Sequence, residues 1–213
     1  MASRLIYLFD PLCGWCYGAG SALPSLLAST DLTLYMQPTG LFSGEGARLM
    51  DEVFADYAWR NDQRISRLTG REFSTRYREQ VLTDHAQSFD SGPVTVALTA
   101  VHLSAPEREF DALEAIQRAR YVDGCDITRL ETLSAILESS GLVDAARRLG
   151  APDNALLTAN QMRVGQGRAL LEQTGAQGVP TLVVERQGQQ HVLSSSALFS
   201  NPEALARELR ATA

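Results

Sequence analysis

At 213 residues, 45% hydrophobic and 21% charged, the chain has ordinary globular composition, enough for one large domain or a domain carrying a substantial insertion. Its net charge of −6 argues against nucleic acid or an anionic membrane surface as the main partner. Apart from His, every basic side chain is Arg, which removes catalytic-lysine chemistry, and three cysteines are too few and too unevenly spaced for a disulfide framework.

The chain opens on an apolar run, Arg4-Leu5-Ile6-Tyr7-Leu8-Phe9, that reads as a buried strand. Cys13-Gly14-Trp15-Cys16 follows at once, and the Ala-, Leu- and Gly-rich stretch from Tyr17 to Ser29 reads as one helix. A second strand, Leu32 to Met36, is closed by Pro38 and Gly40, so the beginning is β-α-β. After a Gly-rich loop, Ser43 to Gly46, the periodicity is helical as far as Gly175, with no strand signal. Leu49, Met50, Val53, Phe54 and Tyr57 form an apolar stripe that ends before Gly70. Segment 71–92 is polar with scattered aromatics, and its Arg-rich run reads as a solvated face. Pro93 starts a helix through Leu103, and Ser104 to Glu107 has capping-box spacing for the next. Asp126 is the predicted cap of a Leu-rich helix stopped at Gly141, and Pro152 begins a long helix ending near Gly175. Strands return with Val179 to Val184 and His191 to Leu193, joined by a hairpin turn at Gln187-Gly188. Asn201 then caps a last helix with Pro202 at its first position. A helical stretch therefore interrupts two halves of one sheet.

The Cys13–Cys16 pair carries the chemistry. Three-residue spacing on a first helical turn puts both sulfurs on one side, near enough for a disulfide. A helix N-terminus favours thiolate over thiol, and thiolate is the species that attacks a disulfide. The chain shows no apolar leader core and no apolar stretch long enough to span a bilayer, which predicts a cytoplasmic protein with no membrane partner. In a reducing cytosol such a pair is catalytic or metal-binding rather than structural. Half of a zinc site is the metal alternative, but only Cys125, His85, His102 and His191 remain as ligands, none at ligand spacing. Trp15, between the two cysteines, is a candidate contact for extended substrate, and Tyr17 reads as packing. Cys125 reads as an inert thiol whose acidic neighbours raise its pKa. Asp10 reads as a turn residue, with proton transfer as the alternative.

Asp10-Pro11-Leu12-Cys13-Gly14-Trp15-Cys16-Tyr17-Gly18, taken with Gly178-Val179-Pro180-Thr181, resembles the DsbA-like branch of the thioredoxin superfamily. More narrowly it is similar to the predicted cytosolic protein-disulfide isomerases of that branch, as is Tyr121 to Ile127. The resemblance implies an α/β, thioredoxin-like fold with an inserted all-helical domain: 1–42 and 158–213 the discontinuous thioredoxin-like part, 43–157 the insertion. It implies Cys13 as nucleophile, Cys16 as resolving thiol and Pro180 as a cis-proline, with the Val179 backbone pairing to extended substrate beside Trp15. Strongly oxidising members commonly carry His between the cysteines; Gly14-Trp15 lacks it, which points to reduction or isomerisation.

The expected activity is thiol–disulfide exchange on disulfide-bearing proteins or peptides, with no metal or organic cofactor and with glutathione or a partner dithiol as reductant. Two alternatives stand beside it. One is a glutathione-dependent transferase or isomerase of the same superfamily, which usually has Ser at position 13. The other is a chaperone-like module that holds peptide without turnover.

Overall fold

A computed structural model describes residues 3–194 and 196–211. Strand β1 (Arg4–Phe9) sits at the centre of a four-stranded sheet of order β2-β1-β5-β6. It pairs in parallel with β2 (Thr33–Pro38) and antiparallel with β5 (Thr181–Arg186), which pairs antiparallel with β6 (Gln189–Leu193). A central strand is covered on both faces, which is why β1 is apolar without alternation. Leu5, Tyr7 and Phe9 point into the large core, whereas Ile6 and Leu8 meet Val183, Leu170 and Leu171 on the opposite face. The Gln187-Gly188 turn has φ of 51° and 81°, the two positive angles that a tight hairpin requires.

The predicted helix from Tyr17 to Ser29 is two helices, α1 (Gly14–Gly20) and α2 (Leu23–Ala28). Pro24 explains the break: it has no N–H to give, and its ring would strike the carbonyl four residues back in a continuous helix.

The insertion is more than helices. Two-residue strands β3 (Arg48–Leu49) and β4 (Ser88–Phe89) pair and close off its first part. Between them, α3 (Glu52–Thr69) is capped by Asp51 Oδ1, which accepts from Phe54 N at 2.7 Å, and stopped by Gly70 at φ 71°. The predicted stripe is not its buried face, since Val53 is 81% exposed. The buried face runs instead through Ala55, Asp62 and Ile65 and lies against α1. Segment 71–92 holds a short helix, α4 (Thr75–Tyr77), running into a π-helical turn over Arg78–Leu82. Its arginines are not all solvated: Arg71 pairs with Glu114 and lies over the Tyr17 ring.

Helices α5 (Gly92–Ser104), α6 (Glu109–Tyr121), α7 (Leu130–Ser139), α8 (Val143–Gly150) and α9 (Asn154–Gln173) follow. The predicted capping box at Ser104 does not form, because the Ser104 hydroxyl donates back to Ala100 O at 2.8 Å. Asp126 starts a local turn onto Thr128 N rather than capping α7, whereas Asp153 caps α9 through Leu156 N. Helix α9 crosses position 157 unbroken, and Gly167 lets it press on the Pro38 carbonyl of β2, where a Cβ would collide. One buried cluster joins the sheet, α1 and the insertion. Helices α10 (Ala197–Ser200) and α11 (Pro202–Ala211) end the chain, and Asn201 Oδ1 accepts from Ala204 N as a cap should. No helix among the described residues is long and apolar enough to cross a membrane.

Candidate active site

The sharp turn from β1 into α1 presents the cysteines, and buried polar groups fix its shape. Asp10 is fully buried; its Oδ1 accepts from Leu12 N at 2.8 Å, and its Oδ2 from Phe42 N at 3.0 Å and Ser91 Oγ at 2.7 Å. This is the turn role read from Asp-Pro. Burial pushes the Asp10 carboxyl up, and those three hydrogen bonds oppose the rise. The carbonyls of the turn are held from α6: Gln117 Nε2 donates to Pro11 O at 3.2 Å and the Tyr121 hydroxyl to Leu12 O at 2.8 Å. From below, the Tyr7 hydroxyl donates to Cys16 O at 2.9 Å.

Cys13 occupies the N-cap of α1 and Cys16 its third residue. Both are free thiols, and their environments differ. Cys13 is 7% exposed, and its Sγ is 3.5 Å from the carbonyl oxygen of Val179. Cys16 is 1% exposed, and burial, with the hydrogen bond and charge of Cys13, pushes its thiol well up. Both sulfurs are therefore buried, Cys13 the less deeply, and burial disfavours ionisation of the one behind it.

The Val179–Pro180 peptide bond is cis. Gly178, Val179, Pro180 and Thr181 form one wall of a groove of about 390 Å³, and Trp15, Ser196 and Phe199 form the other. Trp15 is half-buried rather than open, its ring edge-on to Phe199 at 5.0 Å between centroids, with the Arg64 guanidinium 5.6 Å from its own centroid. All five residues singled out from the sequence, Cys13, Trp15, Cys16, Val179 and Pro180, thus meet in one place. The pattern did not show the residues that hold them. Beyond Asp10, only Tyr7 gave a signal, because a tyrosine in a buried strand needs a partner for its hydroxyl.

The model of the DSBA-like thioredoxin domain family matches residues 4–209. The chain belongs to this DsbA-like family. Among solved structures, the cytosolic disulfide reductase DsbM from Pseudomonas aeruginosa is similar at 30% identity and TM-score 0.86, with 98% of each chain covered. A second structure of that protein, with GSH, gives 29% identity and TM-score 0.81, again with 98% of each chain covered. A 2-hydroxychromene-2-carboxylate isomerase shares the fold, at 18% identity and TM-score 0.62, over 98% of this chain and 97% of that one. No curated protein sequence matches this DsbA-like chain significantly.

Elsewhere, Cys125 is half-exposed rather than buried, and what burial it has, with the Asp123 charge, pushes its thiol up. Among the described residues of the DsbA-like fold, no three His, Cys, Asp or Glu side chains gather where they could share a metal ion.

Proposed function

We propose that this DsbA-like protein is a thiol–disulfide oxidoreductase that reduces or isomerises protein and peptide disulfides in the cytoplasm, through Cys13 and Cys16. One observation carries the proposal: a thiol 3.5 Å from the carbonyl of Val179, which lines a groove of about 390 Å³, backed by a second thiol whose ionisation burial disfavours. Cys13, as thiolate, attacks one sulfur of a substrate disulfide and the other sulfur leaves as thiolate. Cys16 then loses its proton and attacks Cys13, releasing the second substrate thiol and leaving the Cys13–Cys16 disulfide. Two electrons from a dithiol or from two glutathione molecules reset the pair, and no metal or organic cofactor takes part. The Val179 backbone and the Trp15 ring hold the extended substrate.

Cys16→Ala tests the order of attack. Without the resolving thiol, the first adduct has no internal exit, so a mixed disulfide with a model substrate accumulates to near one per protein on non-reducing gels. No adduct, or an adduct on Cys125, overturns the assignment.

A free cation supports glutathione as reductant. Arg64 is exposed beside Trp15 and has no carboxylate partner among the described residues, while glutathione is an acidic tripeptide. Exposed charge pairs contribute up to about 1 kcal/mol, so Arg64→Ala should raise the KM for glutathione about two- to fivefold at low salt and leave kcat nearly unchanged. Steady-state kinetics with glutathione against an uncharged thiol such as mercaptoethanol measure this; equal shifts for both thiols exclude charge recognition.

A further inference from the structure

The outer face of α3 carries a charge pattern that the exchange chemistry leaves unexplained. Arg60, Arg64 and Arg67 stand at i, i+4 and i+7, so they lie along one stripe of the helix. All three are exposed, and none has an ion-pair partner among the described residues. The next arginine, Arg71, is paired with Glu114. The nearby acids are engaged elsewhere. Asp51 caps α3 and pairs with Arg48, while Glu52 and Asp56 line a separate cleft with Arg78 and His85. Glu72 lines another cleft, with Tyr17 and Arg118. On a chain of net charge −6, three unpaired arginines in a row are a local reversal of sign. Like charges one turn apart oppose the helix that carries them, and an anionic partner removes that opposition.

The stripe is continuous with the active groove. The Arg64 guanidinium lies 5.6 Å from the ring centroid of Trp15, and Trp15, two residues after Cys13, lines the groove. No charged side chain lines the groove itself among the described residues. The groove therefore cannot select a substrate by charge, whereas the stripe beside it can.

Spacing says what kind of anion fits. Arg60 and Arg64 are about 6 Å apart along the axis, and Arg67 is about 4.5 Å further on. An extended peptide places alternate side chains on one face about 6.6 Å apart. Carboxylates at alternate positions of such a peptide therefore meet successive guanidinium groups, which bind them in pairs of parallel hydrogen bonds. Nucleic acid is the other extended polyanion. It fits less well, because a chain of net charge −6 repels a long polyanion beyond the short stripe.

We propose that Arg60, Arg64 and Arg67 form a docking strip for acidic segments of polypeptide substrates, so that the protein selects disulfides flanked by Asp and Glu. The inference rests on the dithiol function proposed above and names its substrate class.

The test uses three short peptides, each dimerised through one central cysteine, with Glu, Gln or Lys at alternate flanking positions. Prereduced protein is mixed with each, no other thiol being present, and the second-order rate of disulfide transfer is followed. At about 20 mM salt the Glu peptide should react about three- to tenfold faster than the Gln peptide, and the Lys peptide more slowly than either. At about 0.5 M salt the preference should shrink to less than about twofold. Arg60→Gln with Arg67→Gln should remove most of it and leave the Gln peptide's rate unchanged. Arg60→Glu with Arg67→Glu should invert the order of the peptides. Equal rates for the three peptides, or a preference that neither double variant alters, overturn the strip.

Binding is read apart from chemistry in Cys13→Ala, by fluorescence anisotropy of labelled, cysteine-free peptides. There the Glu peptide should bind more tightly than the Gln peptide by a similar factor. If no peptide exchanges and that preference holds, the dithiol function falls and the strip stands. If exchange proceeds without a charge preference, the strip falls and the dithiol function stands. A single-stranded oligonucleotide that binds Cys13→Ala more tightly than the Glu peptide overturns the choice of polypeptide.

Discussion

Cys13→Ala reduces insulin disulfides no faster than the uncatalysed background, a loss of about three orders of magnitude or more. The expectation follows from the inequality of the two thiols. Only a thiolate attacks a disulfide, and attack also needs an open path in line with the sulfur–sulfur bond. Cys13 is the better placed of the two, 7% exposed with its sulfur 3.5 Å from the carbonyl of the groove-lining Val179. Cys16 has no such path: it lies 1% exposed beneath the first turn of α1, its ionisation suppressed by burial. Nor does Cys125 replace it, for it lies in the loop between α6 and α7, its thiolate disfavoured by burial and by Asp123. Substitutions at the same position separate the competing functions. A Ser-type glutathione transferase should keep glutathione-linked turnover in Cys13→Ser, and a peptide-holding module should still suppress aggregation in Cys13→Ala. Insulin reduction above background in Cys13→Ala removes the nucleophile assignment.

The placement of this candidate site was legible in the sequence because it is local. An apolar run followed by Cys13 and Cys16 sets the strand, the turn and the sulfurs in thirteen residues, and Gly178 to Thr181 carries the facing wall in four. What surrounds them was not legible, for a physical reason. Gln117, Tyr121 and Asp62 reach the turn from helices of the insertion, and helical periodicity says which face a residue is on, not what that face meets. The stripe on α3 shows the limit most clearly. Its apolar residues Val53 and Tyr57 face water, while the polar Asp62 is buried, because glycines on α1 leave the room that α3 fills. The break after Gly20 could have been read from Pro24, which no unbroken helix from 17 to 29 could hold without losing a hydrogen bond.

Arg163 makes the same point at the β2 edge of the sheet, and losing it should have the largest effect on stability. Nothing in the sequence of α9 marks this arginine as buried, yet its Nη2 donates to Glu109 Oε1 at 2.7 Å and to the Met36 carbonyl at 3.1 Å, and its Nη1 to Thr99 Oγ1 at 3.2 Å. The Glu109 side chain is 1% exposed, and its other oxygen lies 2.8 Å from His102 Nδ1. Strand β2, helices α5 and α6 of the insertion and helix α9 therefore meet at one ion pair. A buried pair adds little net stability over an apolar replacement, since both ions lost their water on folding. Removing one partner is different, because the other charge stays behind with only the His102 contact to offset its burial. Arg163→Leu should cost about 3–5 kcal/mol. For a domain of this size each kcal/mol is worth about 2–4 °C, so the melting midpoint should fall by about 6–20 °C. Adding Glu109→Leu should restore much of that loss, as it removes the stranded carboxylate. Calorimetric melts of the two variants decide the matter: a double variant no more stable than Arg163→Leu would mean that the arginine acts through its carbonyl and hydroxyl contacts, not through its charge.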